Sequence, residues 1–452
     1  MAIQFPPAVQ ELIADQSLVR DIQTALRPKQ LFRALAAVRE QFEGSIGESK
    51  TYTRDGLLPI NTTPNVPGTD PTPQANNSVE QWTVAPQQWT GTKDTILPNS
   101  YVSIQNLVLS DARKLAIQAG TTIAHLVRNK VYNAYMGGNT KIKTTNGVAS
   151  VTIAVDSTNG FSQVMVNGVP TPVSSTNPLA ITINGVAANV TGVALTGGQP
   201  AGGAGTLTVA VALAVTAGQA VLATNRSLIK RVGGGTTSNG LALANKLTFS
   251  AIRAGVVALR KKHVPTYDDG TYHMHLGSDS EAQLMEDPSF EKLLTGVSDS
   301  AEWREFAIGR AAGVTFYRNE EVPLADNTNA LTDYVAGDMV VGGAGDAVGA
   351  PIFRPILMGQ TSVREVYIPT NAYLTESGMA PLGTLGEFSY SDDNGDAEVW
   401  LDGIRFMARP PMDRLKQKMD QTWAFEGDWG IPTDSVSIGN DMYKRAIVFE
   451  HV

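Results

Sequence analysis

The chain has 452 residues, 43 acidic and 35 basic side chains, a net charge of −8 and no cysteine. The missing cysteines exclude a disulfide scaffold, a thiolate metal site and a cysteine nucleophile, and the acidic balance argues against a protein that mainly neutralises phosphates. Only 17% of the residues are charged, so much of the surface is expected to be uncharged, as it is where neighbouring molecules cover it.

The first 44 residues predict two amphipathic helices. Apolar residues recur at helical spacing from Val9 to Leu26 and again, after Pro28, from Leu31 through Leu35 to Phe42. Each helix has one apolar stripe, and the sequence leaves open whether it packs on the chain's own core or on a neighbouring subunit. The opening MAIQFPPAVQELIADQ has neither the basic segment nor the apolar core of a signal peptide.

Residues 48–98 predict a long extended hairpin. Seven prolines argue against helix and leave two strand-like pieces, SVEQWTV and QQWTGTKDTI. Loops of this length inside a domain are uncommon and usually functional. Trp82 and Trp89 lie on the two pieces, either packed over their own hairpin or buried as anchors on a partner.

The next segment predicts the strongest helix of the chain, from Ser110 to Met136. Ser110 is a suitable cap, apolar residues keep the helical period, and Gly137 and Gly138 end it after roughly 40 Å. Gly120 weakens the middle of the helix, where a bend is expected.

Residues 145–225 differ in composition from the rest of the chain. They contain one charged residue, Asp156, and one aromatic residue, Phe161, among short Val, Ile and Thr runs separated by turn signals. This spacing predicts an inserted immunoglobulin-like β-sandwich. The most apolar piece, TLTVAVALAVTAGQAVLA, alternates with period two, which favours strands over a membrane-spanning helix. The Gly-rich segment from Arg231 to Gly240 is the expected return linker.

Beyond Leu241 the pattern indicates an α+β body. A helix is predicted from Thr248 to His263, followed by the strand TYHMHLG, the short helices DSEAQLMED and FEKLLTG, and the strand VTFYRNEEVP. From Glu387 the sequence predicts strands around a type I′ turn at Asn394-Gly395, and KRAIVFEHV predicts a terminal strand.

A search for chemistry in the sequence gives no catalytic, cofactor or metal site. His273 and His275 share one strand face and could form half of a metal site, but no further ligand stands at a recognisable spacing, which favours a structural role. The segment DDNGD lacks the Gly and Glu positions of an EF-hand, and Ser227 to Lys230 matches S-x-x-K without its companion motifs.

Four stretches in the second half resemble the major capsid proteins of tailed bacteriophages with the Hong Kong 97-type fold. They are AIRAGVVALRKKHVP, HLGSDSEAQLMEDPSF, REFAIGRAAGVTFYRNEEVP and WAFEGDWGIPTDSVSIGNDMYKRAIVFE. Their order, together with the arm, extended loop and long helix that precede them, carries the resemblance. It covers nearly the whole chain except residues 145–225.

The resemblance implies a division of the chain into the parts of that fold. Residues 1–44 would be the N-terminal arm, 45–97 the extended loop, 98–140 with 387–452 the peripheral domain with its spine helix, 141–240 the inserted domain and 241–386 the axial domain. Five residues are candidates for contacts between subunits: Trp82, Trp89, Leu31, Leu35 and Phe42.

The implied function is structural and non-enzymatic. Hexamers and pentamers of the chain would form an icosahedral shell around double-stranded DNA, as the virion capsid, after assembly in the host cytoplasm. The implied partners are the chain itself, a portal protein, non-specifically bound DNA and a possible decoration protein, without a membrane. The short arm further suggests a separate scaffolding protein. The alternatives are a tail or decoration protein that uses the sandwich for adhesion, and a hydrolase with an appended sandwich.

Overall fold

The computed structural model divides into two compact units, each described here by itself. The first consists of residues 1–50, 83–127 and 363–430, and the second of 51–82, 128–362 and 431–452. The structure describes residues 16–26, 37–42, 49–55, 64–70, 79–102, 107–197, 203–224, 226–237, 244–295, 309–320, 352–368, 397–411, 413–431 and 444–452, together with a few shorter pieces.

The described helices are α1 (Ser17–Leu26), α2 (Leu97–Val102), α3 (Leu107–Met136), α4 (Phe249–Lys261), α5 (Ser278–Met285) and α6 (Pro288–Thr295). The strands are β1 (Ala37–Gln41), β2 (Lys50–Asp55), β3 (Val79–Val84), β4 (Gln87–Ile96), β5 (Asn139–Lys141), β6 (Asn146–Val155), β7 (Gln163–Val166), β8 (Val169–Pro172), β9 (Leu179–Ile183), β10 (Val186–Leu195), β11 (Gly205–Val215), β12 (Ala220–Ala223), β13 (Ile229–Arg231), β14 (Tyr272–Leu276), β15 (Arg310–Ala311), β16 (Val314–Arg318), β17 (Leu324–Ala325), β18 (Ile352–Phe353), β19 (Ile356–Met358), β20 (Val363–Tyr367), β21 (Thr384–Leu385), β22 (Ser389–Tyr390), β23 (Ala397–Leu401), β24 (Ile404–Arg409), β25 (Lys418–Gly430) and β26 (Ala446–Glu450).

Helix α3 begins three residues before the predicted start and runs without interruption through Gly120. The hydroxyl of Thr121 donates to the carbonyl oxygen of Ile117 at 2.9 Å, so this β-branched residue is accommodated inside the helix. Beyond Met136 the chain turns at Gly138, whose φ of +76° lies in the left-handed region. The predicted helix is therefore confirmed, including its C-terminal end.

The predicted second N-terminal helix is wrong over Ala37–Gln41. These residues form β1, which pairs in parallel with β20, from Ala37 opposite Val363 to Gln41 opposite Tyr367. An available strand edge outweighed the weak helical period, because backbone pairing with β20 satisfies hydrogen bonds that a short isolated helix satisfies only marginally. Leu31 and Leu35 lie outside the described residues.

The first unit is built on one sheet in the order β1-β20-β25-β24-β23-β21, with β4 also paired to β25 and β22 to β23. Strand β25 is thirteen residues long and buries Trp423, Phe425 and Trp429. Strands β23 and β24 are joined by a tight turn at Asp402-Gly403, where both residues have positive φ, +52° and +80°. This pair has the geometry and sequence of a type I′ hairpin turn. The turn predicted at Asn394-Gly395 lies outside the described residues.

The second unit contains a mixed sheet, which we call the body sheet, in the order β13-β26-β19-β14-β16-β15. Strands β14 and β16 run parallel, and helices α5 and α6 lie in the connection between them. Helix α4 faces the sheet with Ile252, Val256 and Leu259, all buried in one apolar cluster with residues of β14, β16 and β26. Thr248 caps this helix, as a Ser or Thr before an apolar run predicts.

The inserted segment forms a six-stranded antiparallel sheet in the order β5-β12-β9-β10-β11-β6, and the hairpin β7-β8 forms a separate two-stranded sheet whose Val164 is buried in the same apolar core. A bridge between Ile142 and Val155 joins the two ends of this order, with backbone hydrogen bonds from Lys143 to Ala154 and from Asp156 to Lys141. The sheet therefore closes on itself, and we call it the barrel. The predicted strands and apolar core are present, but the predicted two stacked sheets of a sandwich are not, because closure satisfies the two edge strands within a single layer.

Candidate assembly surfaces

The histidines on β14 occupy structural positions. Nε2 of His273 lies 3.3 Å from Oδ2 of Asp269, and the imidazole ring stacks on Tyr267 at 3.7 Å between centroids. His275 is fully buried, and burial lowers its pKa to about 3. Among the described residues no group of three or more His, Asp or Glu could hold a metal ion.

Asp269 gathers the polar groups on this side of the body sheet. Its Oδ2 accepts hydrogen bonds from Thr271, Thr315 and Arg310 at 2.8, 3.2 and 3.2 Å. Burial opposes its ionisation, but the hydrogen bonds from Thr271 and His273 outweigh that effect and lower the pKa of Asp269 to about 2. Several donors thus share the carboxylate of Asp269. Their hydrogen bonds connect the loop before β14 to strand β16.

A buried ion pair in the first unit anchors the segment that precedes β1. Arg33 binds Glu365 of β20 with two parallel hydrogen bonds of 2.7 Å, and its Nη2 also donates to the carbonyl oxygen of Asp402. The guanidinium lies 5.1 Å from the ring centroid of Phe425, and Nε1 of Trp429 donates to the same carboxylate at 3.1 Å. Arg33 and Glu365 are both buried. Part of the predicted N-terminal arm is therefore held on the chain's own sheet.

A second buried ionic centre lies in the second unit. Glu450 of β26 lies 2.6 Å from Arg231 of β13 and 3.0 Å from Arg354, between β18 and β19. Burial opposes ionisation of Glu450, but the two guanidinium groups outweigh it and lower the pKa of this carboxyl. Tyr132 of α3 donates its hydroxyl to the carbonyl oxygen of Arg354 at 2.7 Å. This centre joins the segment that leaves the barrel to the C-terminal strand.

The two connections of the barrel meet at the C-terminal end of α3. Gly138 donates to the carbonyl oxygen of Asn159 at 2.9 Å, and Ser227 donates from its nitrogen to Gly137 and from its hydroxyl to Ala134. Gly160, with a φ of +77°, approaches so closely that a Cβ there would lie 2.3 Å from the nitrogen of Gly138. The base of the barrel is thus fixed to the helix by backbone contacts.

A crevice of about 320 Å³ opens beside this base, between β12 and the segment that follows it. Asn139, Ser227, Arg226 and Arg231 contribute to its lining. Arg231 is engaged by Glu450, and Asn139 donates to the carbonyl oxygens of Met136, Gly137 and Ser227. Most of the polar lining therefore serves the base of the barrel.

The candidate contact residues have different environments. Trp82 is buried and stacks on Tyr52 at 5.5 Å between ring centroids, so it packs within the chain. Trp89 lies on β4 opposite Phe425 and is half-buried. Phe42, also half-buried, follows β1 and donates its backbone N–H to the carbonyl oxygen of Tyr367 at 2.8 Å. Trp89 and Phe42 therefore keep part of their surface available.

Strand β4 presents an exposed edge. Its residues pair with β25 along their whole length, from Gln87 opposite Gly427 to Ile96 opposite Lys418. The two strands of the predicted hairpin therefore do not pair with each other: β3 pairs with β2, and β4 pairs with a strand more than 300 residues away, which no local pattern specifies. Most of its side chains are exposed, and within the described chain no strand pairs with its other edge. A ten-residue strand with one open edge is a ready template for contact with another chain.

Sequence reasoning missed the buried charges. Arg33, Arg231, Arg354, Glu365 and Glu450 were not singled out, because charged residues are expected on the surface. Arg354 and Glu450 do interrupt the apolar runs IFRPILM and AIVFEHV, and that interruption is a signal that they face partners inside the fold.

The described chain contains no helix long and apolar enough to cross a membrane.

No family model matches the sequence, and no curated protein matches it. The solved structures to which the chain is similar include capsids of several phages. The capsid of Ralstonia phage GP4 has 11% identity and a TM-score of 0.48, covering 94% of this chain and 92% of that one. The cyanophage Pam1 capsid has 11% identity and a TM-score of 0.48, covering 94% of this chain and 91% of that one. The cyanophage P-SCSP1u capsid has 8% identity and a TM-score of 0.45, covering 92% of this chain and 86% of that one.

Proposed function

We propose that this chain is a major capsid protein of a tailed bacteriophage with the Hong Kong 97-type fold. It would be a structural, non-enzymatic subunit that assembles as hexamers and pentamers into an icosahedral shell around double-stranded DNA. Its location would be the virion capsid, after assembly in the host cytoplasm.

The observation that carries the proposal is the convergence of the resembling stretches on one body. Three of them lie within residues 251–323 and the fourth ends at residue 450, and together they supply α4, part of β14, α5, β16 and β26 of the second unit. The start of the fourth stretch, residues 423–430, belongs to β25 of the first unit. Strands β14 and β16 pair directly, and β26 joins β14 through β19. A set of chance similarities would have no reason to meet in one sheet and its covering helices. Their convergence supports a common module.

The exposed strand β4 supports an assembling subunit rather than an isolated one. A strand with one open edge is a ready template for pairing with another chain, and a neighbouring subunit that covers the edge protects it. In a shell, such segments can adapt to different angles between neighbours while compact units keep their shape. Residues 45–97 would act as this extended loop, and α3 as the spine helix of the peripheral domain.

The proposed partners follow from the same function. Other copies of the chain would cover the extended loop, a separate scaffolding protein would guide closure, and a portal protein would occupy one vertex. The net charge of −8 suggests that contact with packaged DNA is weak and non-specific. A decoration protein is a further possible partner of the outer surface.

Electron microscopy of the purified chain, produced with its scaffolding partner, tests the proposal. We expect closed shells tens of nanometres across. Monomers or small fixed oligomers under all such conditions would overturn it.

Trp89→Ala is expected to leave the subunit folded, as measured by its circular dichroism spectrum. We expect it to reduce the yield of shells, because interface tryptophans commonly contribute about 2 kcal/mol or more to binding. Thr92→Ala, at another exposed position of the same strand, is the control.

A further inference from the structure

The inserted segment contains two hairpins with the same turn chemistry. The β7–β8 hairpin turns at Asn167-Gly168, with φ of +50° and +81°, and the β9–β10 hairpin turns at Asn184-Gly185, with φ of +47° and +85°. Both have the sequence and geometry of type I′ turns. An exposed valine follows each turn, Val169 at 47% and Val186 at 57%. The sequence therefore builds two equivalent tips, but their surroundings differ.

The tip of the β7–β8 hairpin contacts strand β3. The backbone N–H of Gln81 donates to the carbonyl oxygen of Gly168 at 2.8 Å. The other tip is open, because a Cβ at Gly185 would meet nothing within 4 Å. Residues 51–82 and the whole inserted segment belong to the same compact unit. The hydrogen bond therefore joins the predicted extended loop to one of the two hairpins within that unit.

The outer face of β7 carries a buried side chain. Val164 lies in the apolar core of the barrel, and Val166 packs against that core. Successive side chains of a strand point to opposite faces, so Met165 faces away from the core. Met165 is nevertheless only 7% exposed. Its cover therefore comes from outside the core of the barrel.

Strand β3 also needs an apolar neighbour. It forms a two-stranded sheet with β2, and a two-stranded sheet by itself is marginally stable in water. Trp82 on β3 is nevertheless 4% exposed. Tyr52 of β2 stacks on it at 5.5 Å between ring centroids, which covers one face of the indole. A second apolar surface has to cover the rest.

We propose that the outer face of the β7–β8 hairpin is the docking site of the β2–β3 pair of the same chain, with Met165 packed beside Trp82. A thioether beside an aromatic ring is a favourable contact, and Gly168 supplies the carbonyl oxygen that fixes the adjacent residue, Gln81. The inserted barrel then has a role, which is to hold the extended loop. That role rests on the proposed function, whereas the docking itself does not.

Disulfide cross-linking of the full-length chain tests the docking, because the chain contains no native cysteine. Gln81→Cys is combined with Val169→Cys, since Val169 follows the carbonyl group that accepts the hydrogen bond and the two backbones are close enough for a disulfide. Gln81→Cys with Val186→Cys is the matched control, with the second thiol at the equivalent position of the open tip. Under mild oxidation we expect a several-fold greater yield of intrachain disulfide from the first pair, identified by peptide mapping of the monomer.

Hydrogen exchange of the full-length chain tests the apolar part of the contact. Met165→Ala is expected to speed exchange of the amides of residues 79–82 several-fold, including the amide of Gln81 that donates to Gly168, and to leave the amides of Leu179–Ile183 in the barrel unchanged. Val186→Ala should change neither set.

Three results would overturn the proposal: a disulfide yield no greater than that of the control pair, a disulfide that joins two chains, or unchanged exchange in β3 of the Met165→Ala variant. All three are measured on the purified chain before assembly. Failure of the docking is therefore distinguishable from failure to form shells.

Discussion

The barrel and the body sheet both pack against apolar cores, but they differ in what else they bury. The barrel packs Ile, Leu, Val and one Phe almost alone, and its strands follow each other within residues 139–223. The body sheet consists of strands from residue 229 to residue 450, and an ionic centre and three histidines, His273, His275 and His451, are buried in or beside it. The comparison shows two ways to hold strands together: contiguous apolar alternation, or specific polar pairing between distant segments.

The two designs should respond differently to perturbation. An apolar core loses stability in proportion to the atoms removed and the cavity that remains. A buried ionic centre adds little net stability when complete but costs several kcal/mol when one partner is removed, because the remaining charge is stranded. The body sheet should therefore be sensitive to charge and pH, and the barrel to side-chain volume.

The largest effect is expected from Glu450→Gln. This substitution keeps the shape of the side chain but leaves Arg231 and Arg354 buried without a countercharge. We expect a loss of about 3 to 5 kcal/mol in the free energy of unfolding of the second unit, measured by denaturant titration with circular dichroism. Glu286→Gln removes an exposed pair with Lys246 and should cost less than about 1 kcal/mol. Equal losses from both variants would contradict the difference drawn between buried and exposed pairs.

A comparable test of the barrel is Ile153→Ala. Ile153 is fully buried in the barrel core, so its truncation should destabilise the barrel by about 2 to 5 kcal/mol. Val148→Ala, five residues earlier on the same strand and exposed, should change stability by less than about 0.5 kcal/mol. Hydrogen exchange of the barrel amides in the full-length chain measures both. A loss confined to the body sheet would show that the barrel has no stability of its own.

The third effect is acid sensitivity of the body sheet. Burial lowers the pKa of His275 and of His451 to about 3, whereas both titrate near 6.5 in the unfolded chain. Between these values the unfolded state binds more protons, so stability falls as the pH drops from 6.5 towards 3, by about 2 kcal/mol per histidine at pH 5. Above pH 6.5 these groups contribute no pH dependence.

His451→Gln tests this assignment. Nε2 of His451 lies 2.9 Å from the hydroxyl of Ser280, and Gln keeps a hydrogen-bonding group there without titrating. The slope of unfolding free energy against pH, between pH 6.5 and 4.5, should fall by about half in the variant. The barrel should show no such slope, since residues 139–223 contain no histidine. An unchanged slope in the body sheet would refute the role of His451.

The same comparison explains what the sequence could predict. The strands of the barrel follow from local alternation between turns, and α3 and α4 follow from period and caps. Closure of the barrel could not be predicted, because it depends on Ile142 meeting Val155, and alternation does not specify which strand ends meet. The partners of Glu450 come from positions 96 and 219 residues away, so no local pattern identifies them. The strand β1 was missed for the same reason, since its partner β20 lies more than 300 residues further on.

The smallest expected effect concerns a local feature that the sequence does specify. The turn between β23 and β24 places Gly403 at a φ of +80°, where a side chain is strained by about 1 to 2 kcal/mol. Gly403→Ala should lower the unfolding free energy of the first unit by that amount, measured by the fluorescence of Trp423 and Trp429, which are buried in the same sheet.

Gly147→Ala is the control, because Gly147 does not have positive φ and a Cβ there meets nothing within 4 Å. The control should be neutral or slightly stabilising, since alanine loses less backbone entropy than glycine on folding. If Gly403→Ala were equally neutral, the turn would have relaxed to another type. The strand register that places Asp402 beneath Arg33 would then be held by the ion pair with Glu365 instead of by the turn.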